Sequence, residues 1–377
     1  WHTFYYSFAS CIWMPTNYGI TTMKNNVTLR QAYQELKARQ PKLRNRDAAA
    51  QLNVSEFELL MLSIGETVTL LKGDWKQLLK DVYNMGRVMA LTRNEYVVHE
   101  RKGVYDNITF YEGGHNVGVA VNPDIDLRFF MNEWKYGLAV VMERGPRFPT
   151  LYSFQFFNAR GEAVHKIFST PQSNLDAYQR LVEKYQDPVQ ELQEPVDRSA
   201  ESPKIVKPDH EIDVPGFKEA WRNLEDTHHF FGMLKKFEVS RTQALRLAPE
   251  GFTQQVDNQA VVRTLEMASE RRVPVMVFVH SKGCVQIHTG VVRHLKQIDS
   301  WYNVLDPDFN MHLNLNAVHE SWIVKKPTVD GIVTSLELFD EQGDLIVYFF
   351  GKRKPGIPEL ESWRKIIDEI SNVRVGV

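Results

Sequence analysis

Two stretches of this 377-residue chain repeat one pattern: Tyr152-Ser153-Phe154-Gln155-Phe156-Phe157 and Thr334-Ser335-Leu336-Glu337-Leu338-Phe339, each followed by a turn ending on a glycine, Gly161 or Gly343. A second pair, Arg93-Asn94-Glu95-Tyr96-Val97-Val98-His99 and His280-Ser281-Lys282-Gly283-Cys284-Val285-Gln286, runs on into Gly103-Val104 and Gly290-Val291. The offsets agree to within a few residues, so one unit is present twice. Alternation with period two marks these stretches as strands. Working outward, helical periodicity fills the first hundred residues, with Asn53-Val54-Ser55-Glu56 reading as a turn into a helix. Alternating segments follow at 95–99, 125–134, 138–142, 152–157 and 164–168, and a helix at 174–185 closes the half. The same order returns as helices over 216–247 and 258–270, strands between 273 and 350, and a closing helix over 358–370. The expected fold is α+β: a tandem duplication, each half a mainly antiparallel β-sheet with flanking helices.

Between the halves, residues 188–215 are rich in Pro, Glu, Gln, Asp and Lys and poor in large apolar side chains, a composition that stays solvated and reads as a linker. The expected organisation is a leader or appended segment over 1–22, a first repeat over 23–187, the linker over 188–215, and a second repeat over 216–377. Met23 is the expected natural start, because helix-forming sequence begins at Lys24. The segment before it lacks the basic start and continuous apolar run of a signal peptide.

With 45 basic and 47 acidic residues the formal net charge is −2, so no global field recruits nucleic acid or anionic membrane. An anionic ligand must therefore meet a local basic cluster. No apolar run approaches the roughly 18 residues of a membrane span. Cys11 and Cys284 are the only cysteines, which gives neither a disulfide framework nor a thiolate metal site and fits a reducing cytoplasm. Gly113-Gly114-His115-Asn116-Val117-Gly118 lacks the spacing and following helix of a phosphate loop and reads as a hairpin turn. No HExxH, CxxCH or Gly-x-Ser-x-Gly pattern occurs.

In the helix opening the second repeat, Phe217, Trp221, Leu224 and Phe231 recur at spacings that trace one inward stripe, and His228 falls on it while His229 is rotated about 100° away. A buried neutral imidazole there needs a partner for each nitrogen. A core histidine bonded to backbone carbonyls and a metal ligand both satisfy that need. In the strand over 125–132, Asp126, Arg128, Phe130 and Asn132 share the face opposite Ile125, Leu127, Phe129 and Met131, so Arg128 and Phe130 point together.

The segment Glu225-Asp226-Thr227-His228-His229-Phe230-Phe231 with Leu234-Lys235-Lys236 resembles the axial-ligand helix of the bacterial haemin-degrading and haemin-transport factors of the HemS type. So do Gly283-Cys284-Val285-Gln286-Ile287-His288-Thr289-Gly290-Val291, Lys326-Pro327-Thr328, Asp330-Gly331 before the 334–339 strand, and Asp126-Leu127-Arg128-Phe129-Phe130 through Trp134. The resemblance runs in one order from about Leu29 to the C-terminal helix. It implies a haem (iron protoporphyrin IX) held beside the C-terminal sheet by His228 as axial ligand of the iron, with Arg128 on the distal side and Phe130 lining the pocket. Lys326 and Arg353, with Lys352 and Lys354 nearby, are the cations expected near the haem propionates. Phe350 stands where relatives often have a tyrosine, a hydroxyl that the nearby Tyr348 can replace. His288 is expected to line the same pocket. His99 matches a histidine that some relatives use as a second haem site, although its alternation with Val97 fits simple sheet packing.

Two functions are compatible with an exchangeable His-ligated haem under an arginine. One is degradation of haem to release iron, an oxygenase-like reaction fed by an external electron donor, in which Arg128 takes the catalytic role. The other is a cytoplasmic carrier passing haem from an inner-membrane importer to a separate haem oxygenase. A haem-sensing or storage module is a third. No nucleic-acid partner is expected.

Overall fold

The computed structural model describes residues 22–111, 113, 116–199, 206–354 and 356–372. The leader expected over 1–22, apart from Thr22, lies outside them with Cys11, as do Gly114 and His115 of the glycine-rich turn. The chain divides into two compact units, residues 1–62 and 63–377. In the first, helices α1 (Thr22–Arg39), α2 (Asn45–Gln51) and α3 (Glu56–Met61) gather Leu36, Ala48, Ala49, Leu59 and Leu62 into a small core. Ser55 caps α3 in a reciprocal box with Glu58, as the sequence around Asn53 predicts.

The second unit holds two antiparallel sheets. Its first repeat runs β1 (Val68–Leu71), α4 (Trp75–Asp81), β2 (Arg87–Arg93), β3 (Val97–Val104), β4 (Ile108–Phe110), β5 (Val117–Val121), β6 (Asp126–Phe130), β7 (Tyr136–Met142), β8 (Leu151–Phe157), β9 (Ala163–Ser169) and α5 (Leu175–Tyr185). Three short helices follow: α6 (Val214–Arg222), α7 (His229–Phe237) and α8 (Arg241–Leu247). The second repeat is β10 (Thr253–Val256), α9 (Ala260–Glu270), β11 (Val275–His280), β12 (Cys284–Gly290), β13 (Leu295–Ile298), β14 (Trp301–Leu305), β15 (Phe309–Asn314), β16 (Glu320–Thr328), β17 (Gly331–Phe339), β18 (Leu345–Gly351) and α10 (Glu361–Ser371). Element for element the two series match. The strands β1 and β10, which open them, have no counterpart in the sequence reading, because four residues give too short an alternation.

The repeats do not fold side by side. One sheet has the order β1-β7-β8-β9-β2-β3-β15-β14-β13 and the other β10-β16-β17-β18-β11-β12-β6-β5-β4, so each repeat lends a three-stranded meander to the other's sheet. The junctions are β3 with β15 and β12 with β6, the second in a register that sets Val285 opposite Arg128 and Cys284 opposite Phe129. Arg128 and Phe130 thus enter the C-terminal sheet although they belong to the N-terminal repeat. The linker is also more than a solvated tether: Val196 and Ile212 are buried, and the Gln190 side chain accepts from Leu70 N at 2.8 Å and donates to its carbonyl at 3.0 Å. These contacts satisfy backbone groups on edge strand β1.

Candidate functional site

Registers fix what one face of the C-terminal sheet displays. Phe278 lies opposite Tyr348 and Ile287, Met276 opposite Phe350, Glu337 opposite Tyr348 and Trp322, and Lys326 opposite Val333. Cross-strand partners share a face, and alternation carries that face through Val285 to Arg128 and its neighbours Asp126 and Phe130. Lys326, Glu337, Tyr348, Phe350, Phe278, Arg128 and Phe130 therefore stand on one surface, drawn from five strands.

At its centre the rings of Phe278 and Tyr348 stack at 4.9 Å and 16°, with Phe350 edge-on to both. Beside them Glu337 is fully buried and accepts from Lys326 Nζ at 2.7 Å, Ser335 Oγ at 2.8 Å and Arg241 Nε at 2.9 Å. Burial alone would raise its pKa, but Arg241 and Lys326 outweigh that and hold it down to about 2. Two cations against one carboxylate leave this buried triad one positive charge in excess. Sequence reasoning missed Arg241, whose signal was the Ser240 and Gln243 capping box that places it at the first position of α8. Lys326 is not an open cation at a pocket mouth, as expected, but a buried one already paired. Arg353 stands 3.8 Å from Asp330.

The helix expected over 216–247 is three helices, and this corrects the inward stripe. After Arg222 the chain leaves α6 through Asn223, and the turn at 224–227 resets the helical phase before α7. Phe230, not Phe231, is buried, where its ring covers Lys326 Nζ at 4.7 Å and Arg241 at 5.6 Å and meets Trp221 at 4.7 Å. Phe231 is 73% exposed. His228 sits at the N-cap of α7 with its side chain 87% exposed, so it is not a core histidine. Its Nδ1 lies 2.6 Å from Asp226 Oδ1, and the same carboxylate accepts from the His228 backbone N–H at 2.8 Å. Burial works to raise the pKa of Asp226, but these bonds from His228 prevail and lower it.

Arg128 donates to the Asp126 carboxylate and, at 3.0 Å, to the Leu127 carbonyl, while Phe130 beside it is 38% exposed. The paired alternation of these two residues holds as predicted, with Leu127 and Phe129 buried on the reverse.

His288 requires a correction. It lies opposite Val277, on the reverse of the sheet from Phe278, and its ring stacks on Phe309 at 3.7 Å and 2° inside the core. Strand alternation separates it from the surface carrying Arg128. His99 is buried against the same Phe309 at 4.9 Å, in keeping with sheet packing. A surface cleft of about 480 Å³ lined by Asp74, Lys76, Lys80, Phe110 and Tyr111 also takes in Gly113 and Asn116 of the glycine-rich turn, but none of the residues expected to hold haem.

The requirements of a haem can be set against this surface: a flat apolar bed, an axial base and compensation for two carboxylates. The aromatic trio, the exposed Phe130 and Phe231, the excess charge at Lys326 and Arg241, and an exposed imidazole whose Nδ1 is already engaged all fit. A family model described as "Haemin-degrading HemS.ChuX domain" matches residues 53–185 and again 238–370. The hemin transport protein HmuS of Yersinia pestis is 36% identical over 92% of this chain and 98% of its own length. The crystal structure of holo-PhuS, a heme-binding protein from Pseudomonas aeruginosa, superposes with a TM-score of 0.87 at 43% identity, covering 93% of this chain and 99% of that one. ChuS, described as an E. coli heme oxygenase, gives a TM-score of 0.81 at 31% identity, covering 91% and 99%. The duplicated two-sheet fold is thus common to these proteins, and the chain belongs to the HemS/ChuX haemin-degrading family.

Proposed function

We propose that this protein binds one haem on the C-terminal sheet through His228 and degrades it to release iron, drawing electrons from an external donor. The observation that carries this reading is the His228–Asp226 pair. A histidine that ligates a metal through one ring nitrogen commonly donates the other N–H to a carboxylate, which fixes the tautomer and strengthens the ligand. Here that leaves Nε2 as the ligating atom. When bound, haem supplies the iron at which oxygen or peroxide is activated. Of the chain's own residues, Phe278, Tyr348 and Phe350 would seat the ring, and the exposed Phe130 and Phe231 would offer it further apolar surface. The Lys326–Glu337–Arg241 triad would offer its excess charge to a propionate, and Arg353 would be able to exchange Asp330 for the other. Arg128, with five donors and no acceptor, would be able to exchange Asp126 for a hydrogen bond to a small ligand held by the iron, without itself ligating the metal.

The carrier reading has one specific observation in its favour: the ligand is exposed at a helix end rather than sealed in a core, an arrangement that permits transfer. In that reading an inner-membrane importer delivers haem and a separate oxygenase receives it, in a cytoplasm that suits the buried free thiol of Cys284. Among the described residues no helix is long and apolar enough to cross a membrane. Haem added to the apoprotein, followed spectroscopically with ascorbate and catalase present, separates the readings. Loss of the Soret band supports degradation, and a stable band with transfer to an added oxygenase replaces it with carriage.

A further inference from the structure

Behind the strand that carries Arg128 and Phe130 lies a hydrogen-bonded chain to which the binding site assigns no role. Tyr105 is fully buried at the end of β3, and its hydroxyl is 2.6 Å from His165 Nε2. On the other side of that ring, Nδ1 is 2.8 Å from Thr92 Oγ1, whose own proton is directed to Cys284 Sγ at 3.6 Å. This order fixes the tautomer. Thr92 gives its proton to sulfur and accepts from Nδ1–H, so Nε2 is bare and accepts from Tyr105. The opposite tautomer would leave the phenol proton without an acceptor among these bonds. Burial holds His165 down to about 3, so the ring is neutral at pH 7 and takes up a proton only from a strong acid, such as an oxidised phenol.

Aromatic contacts join this pair to the wall of the site. Phe129, the residue between Arg128 and Phe130, projects from the reverse of β6 and lies 6.4 Å from the His165 ring and 5.7 Å from Trp134. Trp134 is in turn 6.1 Å from His165, which is 6.2 Å from the Tyr105 ring. Two oxidisable side chains, Trp134 and Tyr105, therefore sit one strand thickness behind the residues that face the haem. Of the two, only Tyr105 has an imidazole ready to take its proton.

We propose that Tyr105 and His165 form a redox-active pair that absorbs stray one-electron oxidising equivalents arising when peroxide reacts with bound haem. The proposal rests on the haem-binding reading of the opposite face. One electron leaves the Tyr105 phenol, through Trp134, for the oxidant. The phenolic proton passes along the 2.6 Å bond to His165 Nε2, leaving a neutral phenoxyl radical beside an imidazolium. An electron from the external donor, with return of that proton, restores phenol and neutral imidazole. The coupled transfer matters because an oxidised phenol is a far stronger acid than imidazolium, so the proton moves to the ring and the radical left on Tyr105 is neutral. Oxidation is thereby diverted from the residues lining the site to a position that can be reset.

The test uses haem-loaded protein mixed with hydrogen peroxide and frozen at intervals, with electron paramagnetic resonance for protein radicals and the Soret band followed in parallel. The expected result is a tyrosyl signal that is lost in Tyr105→Phe and kept in Tyr178→Phe, a buried tyrosine whose hydroxyl meets the Ser153 carbonyl instead of an imidazole. His165→Gln, which retains an acceptor but takes up no proton, is expected to suppress the signal as well. Should Tyr105→Phe fold poorly, His165→Gln and ring-deuterated tyrosine in the unaltered chain carry the test alone. A signal unchanged in Tyr105→Phe or His165→Gln overturns the proposal, as does Soret loss with no tyrosyl signal, an outcome that leaves haem degradation standing. A Tyr105-dependent signal with an intact Soret band supports the pair and instead removes the degradation reading.

Discussion

His228 Nδ1 lies 2.6 Å from Asp226 Oδ1 across a single turn of chain, so the exposed imidazole is oriented by a carboxylate two residues before it. His229, the first residue of α7, has no such partner among the bonds of this turn. His228→Ala is therefore expected to lower haem affinity and change the ligand-field spectrum more than His229→Ala. Asp226→Asn should weaken binding about tenfold, the lower end for loss of a group that orients a metal ligand. Spectroscopic haem titration of the three variants checks both expectations; equal losses in the two alanine variants would put the ligand elsewhere.

Arg128→Ala should leave haem bound through His228, since rings and porphyrin provide the burial, while altering the distal species and slowing any turnover by about tenfold or more. Absorbance spectra and reductant-driven Soret decay measure the two effects separately. Complete loss of haem would make Arg128 a propionate or structural residue.

Glu337→Gln removes the carboxylate between Lys326 and Arg241, leaving a buried and a half-buried cation without compensation. The expected cost is about 3–5 kcal/mol of stability, read as a lower urea midpoint of the apoprotein. A midpoint unchanged from the parent chain would show that the triad relaxes to solvent.

Acid sensitivity follows from three buried histidines. Burial, with Arg101 as the second cause, holds His288 down to about 3; burial holds His165 at a similar value; and burial, then His288 and Arg101, depresses His99. Each is neutral when folded and protonates near 6.5 when unfolded, so the unfolded chain binds more protons below that pH. Stability is fully present above about 6.5 and is lost as pH falls toward about 3, at up to about 1.4 kcal/mol per histidine per pH unit. Urea titrations between pH 7.5 and 4.5 should show the decline; a flat profile across that window would contradict it.

Cutting the chain within 188–215 should leave both fragments in one particle on size exclusion without denaturant, because each sheet contains three strands from the other repeat. Fragments that separate freely would argue against the exchange.

The sequence by itself determined the duplication, the antiparallel class and the pairing of Arg128 with Phe130, since these depend on local period and on self-similarity along the chain. It also marked His228, but through a stripe that α7 does not continue. Four residues, 224–227, reset the helical phase, and a period counted over a window of several turns does not register a break of about one turn. Tertiary structure alone decided that β6 joins the C-terminal sheet and that Arg241, distant in sequence, meets Glu337. It also placed His288 on the reverse face from Arg128. The physical reason is that strand partners are chosen by edges that meet in space. Alternation states which side chains share a face of one strand, and only the register between strands states what that face is turned toward.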